Sequence, residues 1–293
     1  MKTFFDCIPC IVRQALDSVR LATSHETVHE QVLREILRTA AEMDLQQTPP
    51  EMAQWIHRRI REHIGQSDPY RRIKDRFNRM ALKLYPTLRD WVARASIPME
   101  TAVRLAIAGN VIDVGVNSRL SESQVHQSVM HALSGSLDAD VDEFSRAVSD
   151  AGRILYLADN AGEIVFDRVL IEQISPEKVT VGVRGFPVIN DATMRDADDA
   201  GVTELVEVVD NGSDAPGTIL GDCGEAFLER FENADLVIAK GQGNYETLSE
   251  VDKDIYFLLK VKCPVIARDI GCQMDSLVMR RSTFLSTVSA GNG

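Results

Sequence analysis

Asp159 and Asn160 lie side by side directly after the apolar run Ile154-Leu155-Tyr156-Leu157-Ala158. A carboxylate beside an amide oxygen suits an oxygen-preferring divalent cation such as Mg²⁺ or Mn²⁺. The apolar run predicts a buried strand, and Ala161-Gly162-Glu163 then opens a pattern with helical spacing. Open α/β sheets bind ligands at the carboxyl ends of their strands, and a helix N-terminus favours an anion nearby. The sequence therefore predicts adjoining cation and anion sites here, with a plain helix cap as the alternative.

A second predicted strand, Val179-Thr180-Val181-Gly182-Val183, is followed by Arg184 and then by Asp191. Asp191 is a candidate third oxygen ligand for the cation. Arg184 has the planar guanidinium that holds a phosphate through two parallel hydrogen bonds. Both side chains are predicted to reach the same edge of the sheet as the Asp-Asn pair.

A further predicted strand, Leu236-Val237-Ile238-Ala239, is followed by Lys240, Gly241 and Asn244. Lys240 is placed to neutralise charge that develops on a phosphate, and Gly241 lets the backbone approach a ligand closely. The segment lacks the third glycine of a dinucleotide-binding motif, and the chain has no Walker loop and no G-x-S-x-G elbow. Because no histidine occurs after His131, catalysis by a metal and carboxylates remains.

Asn110 and Asp113 stand out in residues 106–116, which are otherwise almost wholly apolar. The pattern predicts a helix on which these two residues, three positions apart, share a face. Buried polar groups need partners. The pair either forms an internal hydrogen bond or belongs to a face that closes over the acidic site.

The 293 residues are enough for one large domain or two ordinary ones. Helical periodicity runs from residue 8 to about residue 147, with breaks at Thr48-Pro49-Pro50 and Ile97-Pro98, and no convincing strand interrupts it. After residue 148, strand and helix patterns alternate, which predicts a mostly parallel sheet covered on both faces. Further strands are predicted at 205–209 and 265–267. We therefore divide the chain into a helical domain, residues 1–148, and an α/β domain, residues 149–293.

The net charge of −12 is carried almost entirely by the residues after position 150. This balance disfavours a nucleic-acid-binding protein, which needs a basic surface, and suits a site that collects metal ions. No apolar run is long enough to span a membrane and the first residues lack a signal peptide's apolar core, so a cytoplasmic protein is expected. The chain has five cysteines, an odd number that does not suit a full set of disulfides, so reduced thiols are expected. For Cys7 and Cys10, spaced at i and i+3, structural, metal-linked and redox roles stay open.

Four of these blocks, taken together and in this order, resemble a known family. The chain is similar to the metal-dependent damage-control phosphatases, formerly called domain of unknown function 89. The Cys7-x-x-Cys10 motif, with Asp68-Pro69-Tyr70, is similar to the stand-alone prokaryotic branch. The four matching blocks are Gly109-Asn110-Val111-Ile112-Asp113, Asp159-Asn160-Ala161-Gly162-Glu163, Asn190-Asp191-Ala192-Thr193 and Lys240-Gly241-Gln242-Gly243-Asn244-Tyr245.

The resemblance implies a helical domain packed on a Rossmann-like three-layer α/β/α domain, with the active site in the cleft between them. It implies that Asp159, Asn160 and Asp191 bind a divalent metal, with Mn, Mg, Co and Ni all open. It also implies that Lys240 contacts the substrate phosphate, so that Asp159, Asp191 and Lys240 are the candidate catalytic residues. The candidate substrate-binding residues are Asn110, Asp113, Glu163, Arg184, Gly241 and Asn244.

Members of this family hydrolyse small phosphometabolites, such as sugar phosphates or damaged phosphorylated cofactor intermediates. The expectation is therefore a metal-dependent phosphomonoester hydrolase, in which water activated at the metal or a carboxylate of Asp159 or Asp191 is the nucleophile. One alternative is an S-adenosylmethionine-dependent carboxyl methyltransferase, although Asp159 precedes the only glycine of its turn. The other is a non-catalytic protein that binds a phosphorylated ligand. The sequence does not indicate the oligomeric state.

Overall fold

The computed structural model describes residues 1–110 and 122–282. Within these residues a single sheet has the strand order β1-β7-β6-β5-β2-β3-β4. Neighbouring strands are parallel, except that β6 and β7 are antiparallel. The strands are β1 (Leu137–Asp138), β2 (Ile154–Leu157), β3 (Val179–Val183), β4 (Glu207–Asp210), β5 (Leu236–Lys240), β6 (Ile255–Lys260) and β7 (Leu277–Arg281).

The helices of the described residues fall before the sheet and between its strands. They are α1 (Cys7–Ala22), α2 (Glu26–Glu42), α3 (Pro49–Ile64), α4 (Arg71–Arg94), α5 (Pro98–Gly109), α6 (Glu122–Ser134), α7 (Val141–Asp150), α8 (Glu163–Ile171), α9 (Met194–Asp199), α10 (Glu225–Asn233), α11 (Gly241–Leu248) and α12 (Pro264–Ile270). The predicted breaks at Thr48-Pro49-Pro50 and Ile97-Pro98 are confirmed, because proline is the first residue of both α3 and α5.

Two apolar cores cover the two faces of the sheet. Side chains alternate along β2, so that Leu155 and Leu157 belong to one core, to which α1, α2, α3, α10, α11 and α12 also contribute. Ile154 and Tyr156 point to the other face and belong to the second core, to which α4, α5, α6, α7 and α8 contribute. The predicted α/β fold with a mostly parallel sheet covered on both faces is confirmed. Helices from the first 148 residues contribute to both cores, and the division into two domains at residue 148 stays a prediction.

The prediction of several elements was wrong or incomplete. Residues 265–267 belong to α12 and not to a strand, because Pro264 starts a helix and three apolar residues do not distinguish the two states. Strands β6 and β7 were not predicted. Strand β1 lies in the part of the chain that was predicted to be helical, and it pairs with β7 at the edge of the sheet. The strand predicted at 205–209 begins two residues later.

The helix predicted over residues 106–116 differs as well. Helix α5 ends at Gly109, and Asn110 is its C-cap residue, whose backbone N–H donates to the carbonyl of Ile107 at 3.1 Å. Asn110 is therefore at the end of a helix and not inside one. The contacts of its side chain explain why a polar residue is found here, because the amide donates to the carboxylates of Asp159 and Glu163. Asp113 lies outside the described residues.

His57 of α3 should make the stability of the protein depend on pH. Its side chain is 2% exposed and packs edge-on against Tyr70. Burial, helped by Arg61, lowers the pKa of His57 to about 3. The unfolded chain takes up this proton below about pH 6.5 and the folded chain does not. The free energy of unfolding should therefore fall as the pH decreases from about 6.5 towards 3, by about 1.4 kcal/mol per pH unit from this residue.

Urea unfolding between pH 4.5 and 7.5, compared for the wild type and His57→Phe, measures this contribution. Because carboxylates add their own pH dependence to both proteins, the informative quantity is the difference between the two curves. We expect the wild type to lose stability relative to His57→Phe as the pH falls. Parallel curves over this range would show that the folded chain also protonates His57.

Candidate active site

Asp159 and Asn160 follow β2 at the place where the strand order reverses. The chain runs from β2 to β3 and β4 on one side and then places β5 on the other side of β2. Ligands of open α/β sheets bind at such a reversal, outside the carboxyl ends of the strands. Gly241, directly after β5, has φ +77°, and a Cβ atom there would overlap the carboxylate of Asp159. Glycine is therefore required at position 241 so that the two strand ends can meet.

The loop after β3 is bonded to the loop after β2. The N–H of Ala161 donates to the carbonyl of Asn190, and the N–H of Ala192 donates to the carbonyl of Asp159, both at 2.8 Å. Between these bonds, Asn160 and Asp191 face each other in an antiparallel bridge. The structure therefore brings together Asp159, Asn160 and Asp191, the three residues that the sequence singled out as metal ligands.

These three residues and Asn110 line one cavity of about 330 Å³. Helix α1 lines the same cavity with Cys10, Gln14 and Asp17, among others. Lys262 brings an ammonium group to the same cavity. The cavity thus combines the acidic strand-end loops with a cation from another element, an arrangement that can hold a metal ion and a phosphate side by side.

The orientation of Asn160 fits a role as an oxygen ligand. Its amide nitrogen donates to Asp159 Oδ2 at 2.7 Å and to Glu163 Oε2 at 2.9 Å. Asn110 donates to the same two carboxylate oxygens, at 2.9 Å each. Because both amide hydrogens of Asn160 are used in this way, its Oδ1 is directed away from the carboxylates.

The donor set is two carboxylates and one amide, which are hard oxygen ligands of the type that Mg²⁺ and Mn²⁺ prefer. Throughout residues 1–110 and 122–282, no three His, Cys, Asp or Glu side chains are grouped as a metal site would require. Asp159, Asn160 and Asp191 do not form such a group, because only two of the three are of those residue types. The residues present therefore fit a divalent cation that takes further ligands from water or substrate.

Lys240 lies in a buried ionic cluster next to these loops. Its fully enclosed ammonium donates to Glu163 Oε1 at 2.7 Å, Asp167 Oδ1 at 2.6 Å and the carbonyl of Ala106 at 2.9 Å. These three bonds use all three of its hydrogens. Burial raises the pKa of Asp167 to about 6 although Lys240 opposes the rise. The predicted contact between Lys240 and a substrate phosphate stays a prediction, and in the structure Lys240 holds Glu163.

Arg184 and Asn244 form a second buried network. Arg184 Nε donates to Asp191 Oδ2 at 2.8 Å, and its two terminal nitrogens reach Thr218 Oγ1 and Asn244 Oδ1 at 3.3 Å. The amide nitrogen of Asn244 donates to the carbonyl of Lys240 at 2.8 Å. Arg184 thus orients the Asp191 carboxylate and ties it to the end of β5. Direct phosphate contacts by Arg184 and Asn244 stay predictions.

Lys262 is a candidate site residue that the sequence analysis missed. Its ammonium donates to the carbonyl of Asn110, and its backbone N–H donates to Gln242 Oε1 at 2.6 Å. Lys262 follows β6, and β6 is parallel to β5. Recognition of the run Ile255-Tyr256-Phe257-Leu258-Leu259 as a strand would have placed Lys262 at the same edge of the sheet as Asp159.

Three thiols face the same cavity. Cys7 and Cys10 belong to the first turn of α1, and Cys263 is the N-cap residue of α12. All five cysteines are free. Burial raises the pKa of the Cys7 and Cys10 thiols above the ordinary value, with smaller contributions from Glu246 and the neighbouring cysteines. Both are therefore thiols at neutral pH, and the choice among structural, metal-linked and redox roles stays open.

Comparison with known proteins shows the family of this chain. The family model of the damage-control phosphatase ARMT1-like domain matches residues 3–278. The chain belongs to this family. The family resemblance inferred from the four sequence blocks is thereby confirmed, and these blocks supply the loops that line the cavity after β2 and β3.

Two relatives from archaea match over nearly their whole length. A damage-control phosphatase of Archaeoglobus fulgidus is 35% identical over 280 residues, which cover 94% of this chain and 97% of the relative. A damage-control phosphatase of Pyrococcus horikoshii is 34% identical over 290 residues, which cover 97% and 99%. The crystal structure of a DUF89 family protein from Pyrococcus horikoshii, 34% identical, superposes with a TM-score of 0.87 over 96% of this chain and 99% of that one.

No helix in residues 1–110 or 122–282 is long and apolar enough to cross a membrane. The cytoplasmic location expected from the sequence stays a prediction.

Proposed function

We propose that this protein is a divalent-metal-dependent phosphatase that hydrolyses the phosphomonoester bond of small phosphorylated metabolites. The observation that carries the proposal is the joining of two strand-end loops, which bring Asp159, Asn160 and Asp191 to one cavity. Membership of the damage-control phosphatase family, and the two archaeal relatives that are named damage-control phosphatases, support the choice of phosphate chemistry.

Asp159, Asn160 and Asp191 would hold the cation, which when bound supplies a Lewis acid for a phosphoryl oxygen and neutralises charge on the phosphate. Arg184 keeps the Asp191 carboxylate in one orientation. Glu163, held by Lys240, fixes the amide groups of Asn110 and Asn160. These contacts exist before substrate arrives, so little reorganisation is needed during the reaction.

Lys262 is the residue that we assign to the substrate phosphate. It brings an ammonium group to the cavity wall, whereas the ammonium of Lys240 is fully enclosed. In the hydrolysis, a P–O bond to the water oxygen forms, the ester P–O bond breaks, and the leaving alcohol takes up a proton. Attack by water and attack by a carboxylate of Asp159 or Asp191 both remain open. Trapping of a phospho-aspartate would distinguish them.

The size of the cavity supports a small substrate. A volume of about 330 Å³ is at the lower end of the range for small-molecule sites. Sugar phosphates and phosphorylated cofactor fragments are of suitable size. We therefore propose these as the substrate class.

Phosphate release from p-nitrophenyl phosphate and from a panel of sugar phosphates tests the proposed function. Each is assayed in EDTA and with Mg²⁺, Mn²⁺, Co²⁺ or Ni²⁺ added. We expect no release in EDTA and release with at least one of the metals. Binding of S-adenosylmethionine without hydrolysis under any metal would favour a methyltransferase. Binding of a phosphorylated ligand without turnover would favour a non-catalytic protein.

A further inference from the structure

Asn78 of α4 bonds directly to the loop that carries Asp159 and Asn160. The residue is 2% exposed. Its Oδ1 accepts a hydrogen bond from the backbone N–H of Gly162 at 2.6 Å. Gly162 ends the loop after β2 with φ +80°, a left-handed conformation in which a side chain would be strained. Asn78 therefore holds this loop at the residue where its backbone changes direction.

The same amide is bonded to the segment that follows Asp191. Asn78 Nδ2 donates to Asp196 Oδ1 at 3.0 Å. The other oxygen of Asp196 accepts from the N–H of Thr193 at 3.0 Å and from its hydroxyl at 2.7 Å, which forms the capping box of α9. Thr193 is two residues after Asp191, so Asn78 is bonded directly to the loop of Asp159 and Asn160 and is linked through Asp196 to the loop of Asp191.

Two cations of α4 hold Asp196 in this position. Lys74 Nζ lies 2.7 Å from Asp196 Oδ2, and both side chains are fully buried. Arg71 donates to Asp196 Oδ1 at 2.8 Å. Because Arg71, Lys74 and Asn78 all belong to one helix, the helix fixes the position of Asp196 and that of Gly162 relative to each other.

We propose that Asn78 is a positioning residue, which keeps the loop of Asp159 and Asn160 and the loop of Asp191 at the separation needed to hold one divalent cation. This inference rests on the proposed function. An amide suits the position because it accepts from the Gly162 N–H and donates to the Asp196 carboxylate at once. Aspartate at position 78 would place a second buried carboxylate against Asp196, whereas alanine and leucine would remove both bonds without adding a charge.

Titration of the wild type, Asn78→Ala and Asn78→Leu with Mn²⁺ by calorimetry, in the absence of substrate, tests this inference. Loss of a group that orients metal ligands costs about 10- to 100-fold in metal affinity. We expect a loss of this size in both variants, since neither can bond to Gly162 or to Asp196. Saturating Mn²⁺ should restore most of kcat in both variants, with little change in the KM for substrate.

Leu88→Ala is the matched control. Leu88 lies on the same helix and is equally buried, so this variant removes packing without changing the contacts of Gly162 and Asp196. Its Mn²⁺ affinity should equal that of the wild type. If Asn78→Ala does not fold, Asn78→Leu decides, since leucine fills the same space without either bond and should also bind Mn²⁺ more weakly.

Two negative outcomes are distinguishable. Unchanged Mn²⁺ affinity in a folded Asn78 variant, beside a wild type that binds the ion, would overturn the role of Asn78 and leave the proposed function intact. A wild type that binds no Mn²⁺ and shows no metal-dependent phosphate release would overturn the proposed function, and the role of Asn78 with it.

Discussion

Asp159→Ala is expected to lower kcat/KM for metal-dependent phosphate release by at least about 10³-fold, because it removes a charged oxygen ligand from a preorganised site. The carboxylate accepts hydrogen bonds from Asn110 and Asn160, and it lies against the start of α11 at Gly241. Asp159 is only partly buried, so its removal should leave the fold intact. Phosphate release at saturating Mn²⁺, measured beside the thermal midpoint, checks both statements.

Asp17→Ala is the matched control for this experiment. Asp17 lines the same cavity from α1, but it belongs to a different element from the proposed ligands and pairs with Arg13 at 3.2 Å. Its removal takes one negative charge from the cavity without touching the proposed ligands. We expect activity within a few-fold of the wild type. Equal losses in both variants would mean that the charge of the cavity matters and that Asp159 has no special role.

Lys240→Met is expected to lower the free energy of unfolding by about 3–5 kcal/mol, the usual cost of removing one partner from a buried ion pair. The substitution keeps the length of the side chain but leaves Glu163 and Asp167 buried without their counter-ion. The pKa of Asp167 is already raised to about 6 and should rise further in the variant. A carboxyl group whose pKa is higher in the folded chain than in the unfolded chain lowers the free energy of unfolding as the pH rises. The variant should therefore be less stable at pH 8 than at pH 5.5.

Urea unfolding of Lys240→Met at pH 5.5 and 8 measures both effects. Adding Asp167→Asn to Lys240→Met removes one of the two unpaired charges and should recover part of the loss at pH 8. The prediction from the sequence, that Lys240 contacts the substrate phosphate, gives a different result. In that case Lys240→Met would lower kcat/KM while the free energy of unfolding stayed within about 1 kcal/mol of the wild type.

The meeting of Asp159, Asn160 and Asp191 at one cavity could be predicted from the sequence because its signal is local. Asp159 and Asp191 each follow an apolar run, and the carboxyl ends of adjacent parallel strands meet at one edge of a sheet. The same reasoning would have found Lys262 if β6 had been recognised. The run Ile255-Tyr256-Phe257-Leu258-Leu259 is as continuously apolar as the run of β2, as expected of a strand buried on both faces, and the same reasoning applied to it predicts the position of Lys262.

The surroundings of the site could not be predicted because they depend on distant contacts. The ammonium of Lys240 is enclosed by Glu163, 77 residues earlier, and by the carbonyl of Ala106, 134 residues earlier. Asn78 reaches Gly162 across 84 residues. Each of these residues has an ordinary sequence context, and only the packing of α4, α5 and α8 on the sheet shows what it contacts.

The location of the metal is the central claim, and a crystal soaked in Mn²⁺ and recorded at a wavelength with strong manganese anomalous scattering tests it most directly. We predict one anomalous peak within about 2.0–2.6 Å of oxygen atoms of Asp159, Asn160 and Asp191. The absence of a peak there, or a peak beside the thiols of Cys7, Cys10 and Cys263 instead, would contradict the account.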